Sequence, residues 1–492
     1  MFLMIALVYG NWRSIYPREV ARLREGTWRG ATAQGKLMAG RSTFATLGSM
    51  RLKLAALLGL AALAGCSHVQ PSATAGCHLT AYPLRVQDAH FEPGVAGPPR
   101  DFEALLAEAM QPPSRMVEGT AQRPSVLVLS GGSQHGAFGA GLFAGMDKVP
   151  DYKMVTAVST GALQSTFVFL ANAPVPADRR YPAYMQALGA GRSNLGDLEL
   201  AYTISSEADL LKVGAHGQLG AVVRGSAAQF DPLRQTLRAL LSPETLRAVG
   251  AAYRPNANDG RRLLVGVTDT VDGNGYAIDL TELASRLLGE RPAMGFEQVQ
   301  GCYIDALVAS SSVPLAVPPV TLEAVSANGD GVPSRHMYID GGARFGVFYA
   351  DFAPLMRLPV RPEVTLIVNG RLYGKPWRDH DGNPQTNWSS LTLGLRAVDI
   401  LENQVYRFSV ETVQRIGTPD NPVRFAFISG QGLPADMDPD RFEWQGRTCE
   451  AYSREDEAEG VIEFHPRYMK CLIEYGRQRG AAQAWNVEEP VP

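Results

Sequence analysis

The chain reads as an α/β protein with a mostly parallel central sheet, on three observations. Two strand–helix units follow one another: Ser125 to Ser130 leads through a glycine turn into Ala137 to Met146, and Met154 to Val158 leads into Gly161 to Leu170. Short apolar runs of this kind suit strands buried on both faces, and their alternation with helices suits parallel pairing. Two further runs, Val364 to Val368 and Val423 to Ile428, extend the pattern, and 492 residues with 45% hydrophobic content supply a large core.

The first elements along the chain concern export. From Met50, the cations Arg51 and Lys53 precede an unbroken Leu/Ala/Gly run from Leu54 to Ala64, the layout of a secretory signal. That run is too short to span a bilayer comfortably. It ends in Leu63-Ala64-Gly65-Cys66, which resembles the bacterial lipobox and implies that Cys66 is lipidated and becomes the mature N-terminus. Residues 1–49 carry Arg13, Arg18, Arg22, Arg24, Arg29, Lys36 and Arg41 ahead of this complete signal and read as an extra leader, with translation expected to start at Met50. Residues 50–65 are then the signal peptide, and the expected location is the bacterial cell envelope, as an outer-membrane lipoprotein.

Residues 66–123 are rich in Pro, Ala and Gly and read as a tether, with one short helix where Phe102, Leu105, Leu106 and Ala109 recur at helical spacing. The core is expected over residues 124–350, with 351–492 completing the same domain. Within it, Asp231-Pro232 and Ser242-Pro243 each look like an N-cap before a first-turn proline, predicting two short helices. Leu263 to Thr268 and Gly275 to Leu280 bracket Asp272-Gly273-Asn274 and predict a hairpin. A long helix is expected from Leu391 to Ile416, and a closing helix within Phe464 to Gly476 that packs on the sheet.

With Cys66 lipidated, Cys77, Cys302, Cys449 and Cys471 remain, and an exported protein can pair them. Four cysteines allow three pairings; Cys449 with Cys471, flanking a strand and a helix, is the favoured one. No Cys-x-x-Cys or Cys/His cluster points to a metal, and no cofactor is implied. A net charge of -3 gives no electrostatic case for nucleic acid.

Three segments carry chemistry. Ala157-Val158-Ser159-Thr160-Gly161, between strand and helix, has the form of a nucleophile elbow with alanine for its first glycine. Gly131-Gly132-Ser133-Gln134-His135-Gly136 lies between a strand and a helix N-terminus, where backbone N–H groups can hold an anion. It fits neither G-x-G-x-x-G nor the Walker loop, so an oxyanion hole is the better assignment. Met337-Tyr338-Ile339-Asp340-Gly341-Gly342 presents a carboxylate at a strand end.

Together with Ala309-Ser310-Ser311-Ser312-Val313-Pro314, these segments resemble the patatin-like phospholipase family in order and spacing, over Ser125 to at least Val347. The resemblance implies a three-layer α/β/α fold and a Ser-Asp dyad, Ser159 attacking and Asp340 taking its proton, with no cofactor. It implies a lipid or phospholipid ester as substrate and phospholipase A or lysophospholipase chemistry. Acyl transfer, thioester hydrolysis and a non-catalytic lipid-binding lipoprotein are the alternatives. Ser133 for the third glycine, His135 for the basic residue and Ala157 are the departures from the family pattern.

Overall fold

The computed structural model describes residues 74–84, 105–106, 109–110, 123–213, 228–255, 259–326, 332–348, 361–372, 374, 376–378, 383–418, 420–428, 438–461 and 463–485. The signal segment, Cys66 and the leader before Met50 lie outside the described residues. In chain order the main elements are β1 Leu79–Leu84, β2 Ser125–Leu129, α1 Gly136–Gly145, β3 Met154–Val158, α2 Thr160–Phe169 and α3 Asn194–Tyr202. Next come α4 Asp231–Leu240, α5 Pro243–Ala251, β4 Arg262–Asp269, β5 Gly275–Asp279, α6 Leu280–Ser285, α7 Phe296–Ser310, β6 Val320–Ser326 and β7 Ser334–Asp340. The last are β8 Glu363–Val368, α8 Ser390–Gln414, β9 Arg424–Phe427, α9 Cys449–Ala458 and α10 Pro466–Ala481.

The strands form one sheet in the order β9-β8-β2-β3-β4-β5-β1-β6-β7. From β9 to β4 every neighbour is parallel. The other half is mixed, and it curls until β7 returns to pair antiparallel with β4. Alternate side chains serve opposite layers, as the two-residue strand period demands. Leu127, Leu129, Val155 and Ala157 enter one core with α1, α2 and α7, whereas Val126, Val128, Met154 and Val158 enter a second core with α8. The architecture is α/β/α in three layers.

The hairpin forms as the turn signal predicts, with Gly273 at φ 72°. Both proline-opened helices form; Ser242 caps α5 through its side chain, but Phe230, not Asp231, is the N-cap of α4. The cysteines pair as Cys449–Cys471 and Cys77–Cys302. Among the described residues no helix is long and apolar enough to cross a membrane.

One expectation needs correction. Part of the stretch read as tether is structural: β1 lies inside the sheet between β5 and β6, and Leu105, Leu106, Ala109 and Met110 are buried in the second core. Its strand character was masked by a Pro- and Gly-rich surrounding. The closing helix α10 packs along α1 and meets the sheet at its β9 edge, where Arg479 donates to the Phe427 carbonyl at 2.7 Å. A methyl on Gly141 would meet the Ile473 carbonyl oxygen at 2.0 Å, and one on Gly476 would meet that of Phe138 at 2.1 Å, so the glycines let the two backbones touch.

Candidate active site

Ser159 and Asp340 come together at facing strand ends. β3 stops with Val158 opposite Gly266 of β4, and β7 arrives antiparallel along the same edge of β4, stopping with Asp340 opposite the next residue, Val267. The candidate nucleophile and base are therefore the residues at which two strands meet on a shared neighbour.

At the end of β3 the chain must reverse at once into α2. Ser159 sits at φ 53° and ψ -124°, a left-handed conformation that costs a non-glycine residue about 1–3 kcal/mol. Such strain marks an elbow that thrusts its side chain outward. Gly161 is obligatory here, since a methyl would lie 2.6 Å from the Ser130 carbonyl oxygen. Ala157 is accommodated: its methyl points into the helix-side core with Leu127 and Leu129 and is fully buried.

The Ser-rich end of α7 ties both candidates down. The Ser310 hydroxyl accepts the Ser159 N–H at 3.0 Å and donates to the Gly266 carbonyl at 2.7 Å. Two residues on, the Ser312 carbonyl accepts the Asp340 N–H at 3.0 Å. The Ala-Ser-x-x-x-Pro segment is thus a clamp that holds the elbow and the carboxylate in one frame.

Asp340 is buried. Its Oδ1 accepts the Gly342 N–H at 2.7 Å, while Oδ2 has no full hydrogen bond. Burial pushes this carboxyl up to about 7, opposed by a hydrogen-bonding contribution from the Ser159 hydroxyl and by the Gly342 N–H. No full hydrogen bond joins the Ser159 hydroxyl to Oδ2. Catalytic hydrogen bonds commonly close only when substrate is bound. Glu402 of α8 is also pushed up, by burial first and then by the charge of Asp340.

Of the six loop residues, three have their amides occupied. Gly131 donates to the Gly346 carbonyl, His135 to that of Gly132, and Gly136 back to Ser133 and Gln134. Those three are not free as oxyanion donors. Among the described residues, the N–H groups of Gly132, Ser133 and Gln134 remain. Ser133 does adopt the left-handed conformation, at φ 49°, and its hydroxyl donates to Glu463. That bond offsets some of the strain of a serine in a glycine position.

His135 is a structural residue. Its Nδ1 donates to the Gly132 carbonyl at 3.0 Å and its Nε2 accepts from Arg371 Nε at 3.2 Å, a pattern that requires the neutral ring. The fixed positive charge beside the loop comes from Arg371, held bidentate by Asp440 at 2.8 and 3.0 Å and bonded to the Tyr468 hydroxyl at 2.7 Å. Sequence reasoning missed Arg371 because it follows β8, far from any motif. Asn369, two residues earlier, was missed likewise; its amide donates to the Ser130 carbonyl at 3.1 Å and fixes the start of the loop.

Comparison with known proteins places the same segments in one family model. Residues 127–353 match the model described as patatin-like phospholipase. No curated protein matches the chain. Among solved structures, the crystal structure of VipD from Legionella pneumophila aligns at 10% identity over 76% of this chain and 69% of that one, with a TM-score of 0.28.

Proposed function

We propose that the chain is a lipid acyl hydrolase of the phospholipase A or lysophospholipase type, working through a Ser159–Asp340 dyad. The observation that carries the reading is the placement of a serine at a strained strand–helix turn beside a buried carboxylate with one unpaired oxygen. The patatin-like match supports lipid ester hydrolysis in general.

In the proposed mechanism Ser159 Oγ attacks the ester carbonyl carbon as its proton passes to Asp340 Oδ2. The C=O pair moves onto oxygen, and the N–H groups of Gly132, Ser133 and Gln134 at the start of α1 receive that charge. Collapse expels the alcohol, which takes the proton from Asp340. Water then attacks the acyl-serine by the same route. An ordinary aspartate, near about 3.9, is a weak base, and burial is what raises its proton affinity toward the task.

Export as a lipoprotein anchored through Cys66 is part of the proposal, and membrane fractionation of Cys66→Ala tests it. The two disulfides support an oxidising compartment. For the activity, fatty-acid release from defined phosphatidylcholine, its lyso form and an acyl-CoA thioester is the test. Release from the oxygen esters that vanishes in Ser159→Ala is expected; no release from any of them contradicts the proposal.

A further inference from the structure

The helix that covers the site lies outside the family match. α8 runs over Gly341–Phe348 on the opposite layer from α1 and α2, and it docks through Ser409, whose hydroxyl accepts the Gly346 N–H at 3.1 Å, and through Asn403, whose amide donates to the Arg371 carbonyl. Between these two contacts, on the same face, lies Tyr406. Its ring occupies a slot that two glycines leave open. A methyl on Gly346 would come within 1.8 Å of one ring edge, and a methyl on Gly370 within 2.4 Å of the other.

The slot aims the phenol at the reacting groups. A methyl on Gly131 would lie 2.3 Å from the Tyr406 hydroxyl and 3.0 Å from Ser159 Cβ. One on Gly342 would lie 3.0 Å from Asp340 Oδ1 and 3.3 Å from the same hydroxyl. The hydroxyl thus stands between the start of the oxyanion loop, the elbow and the turn that carries the base. Tyr406 is 6% exposed, yet among the described residues its hydroxyl has no hydrogen-bond partner. A phenolic O–H in this place has a donor to give to a group that enters the site. Burial and the nearby carboxylates of Glu402 and Asp340 hold this phenol well above its ordinary value, so it stays neutral and remains a donor.

We propose that Tyr406 is a third catalytic residue, its O–H donating a hydrogen bond to the oxyanion that forms when Ser159 adds to the ester carbonyl. Its proton is shared and never leaves; the transferred proton is still the one that moves from Ser159 to Asp340. The phenol adds a side-chain donor to a hole otherwise made of amides, and it makes the site depend on α8. This rests on the hydrolase reading above.

The test uses Tyr406→Phe in the full chain, which keeps the ring in its slot. With a soluble p-nitrophenyl ester, kcat is expected to fall tenfold or more, toward the about 10²–10³ typical of one lost oxyanion donor, with KM within about twofold. Affinity for a trifluoromethyl ketone, whose serine adduct carries its oxyanion in the same place, is expected to fall in step with kcat/KM. The acid limb of the pH profile and the melting temperature are expected to stay put. Activity within twofold of the unmodified protein overturns the proposal, and so does a displaced acid limb, which would place the hydroxyl on Asp340 instead. With Ser159→Ala inactive and Tyr406→Phe fully active, this inference fails and the hydrolase reading stands; turnover surviving in Ser159→Ala sinks both.

Discussion

Ser159 and Asp340 are neighbours because β3 and β7 end against successive residues of one strand, Val158 opposite Gly266 and Asp340 opposite Val267. In the proposed dyad no histidine stands between them. The arrangement also buries the carboxylate, and the burial sets how the protein should respond to pH.

Asp340 must be ionised to accept a proton, and it is raised to about 7. Activity should therefore be lost as pH falls through about 7, not through the range of an ordinary carboxylate near about 3.9. The stability consequence has the opposite sense. A carboxyl raised in the folded state binds more protons there than in the unfolded chain, so its favourable contribution is present below about 4 and is lost as pH rises through about 7. Asp340→Asn should melt higher than the unmodified protein at pH 8, roughly 2 °C or more, with the gap narrowing toward pH 5. A pH-independent gap in differential scanning calorimetry would sink this account of the burial.

Ser310→Ala removes a hydroxyl that serves the Ser159 N–H and the Gly266 carbonyl together. Leaving two buried backbone groups unpaired should cost about 2–4 kcal/mol by denaturant titration. Because the elbow's strained φ depends on that clamp, kcat should fall about tenfold or more with a smaller change in KM. Ser311→Ala serves as the control: among the described residues its hydroxyl bonds only to the Leu307 carbonyl one turn back, so near-normal kcat is expected.

Arg371→Met should damage the oxyanion loop from a distance. It removes one partner each from Asp440, His135 and Tyr468, and breaking such a partly buried pair costs about 3–5 kcal/mol at the upper end. Arg371→Lys keeps the charge but lacks the fork, so it should recover stability only in part. His135→Asn, with an amide to donate to the Gly132 carbonyl, should be milder than either. Thermal melts of the three variants check the order.

Gly141→Ala places a methyl 2.0 Å from the Ile473 carbonyl oxygen of α10. Forcing the helices apart should cost about 1–3 kcal/mol or more and lower the melting temperature. Gly289→Ala at a loop position with nothing within 4 Å, though at φ 91°, tests local strain alone and should cost less.

The strand–helix alternation was legible because apolar runs and their glycine turns are local. So were the elbow, the glycine loop and the Asp-Gly-Gly end, each a short contiguous segment at the end of a strand. The clamp of Ser310 and Ser312 was visible as a segment but not as a device, since its bonds join residues 151 apart in sequence in the case of Ser159. Arg371, Asn369 and Tyr406 left no motif. They reach the site through sheet order and helix docking, which periodicity does not encode. β1 was overlooked because its pairing partners, β5 and β6, lie far along the chain.

The central claim, a serine activated directly by an aspartate, is tested most directly by labelling purified protein with a serine-reactive fluorophosphonate alongside Ser159→Ala and Asp340→Asn. The account predicts one label on the unmodified protein, none on Ser159→Ala, and labelling slowed by about 10² or more in Asp340→Asn. Equal labelling with and without Ser159, or undiminished rates without the Asp340 carboxylate, would contradict it.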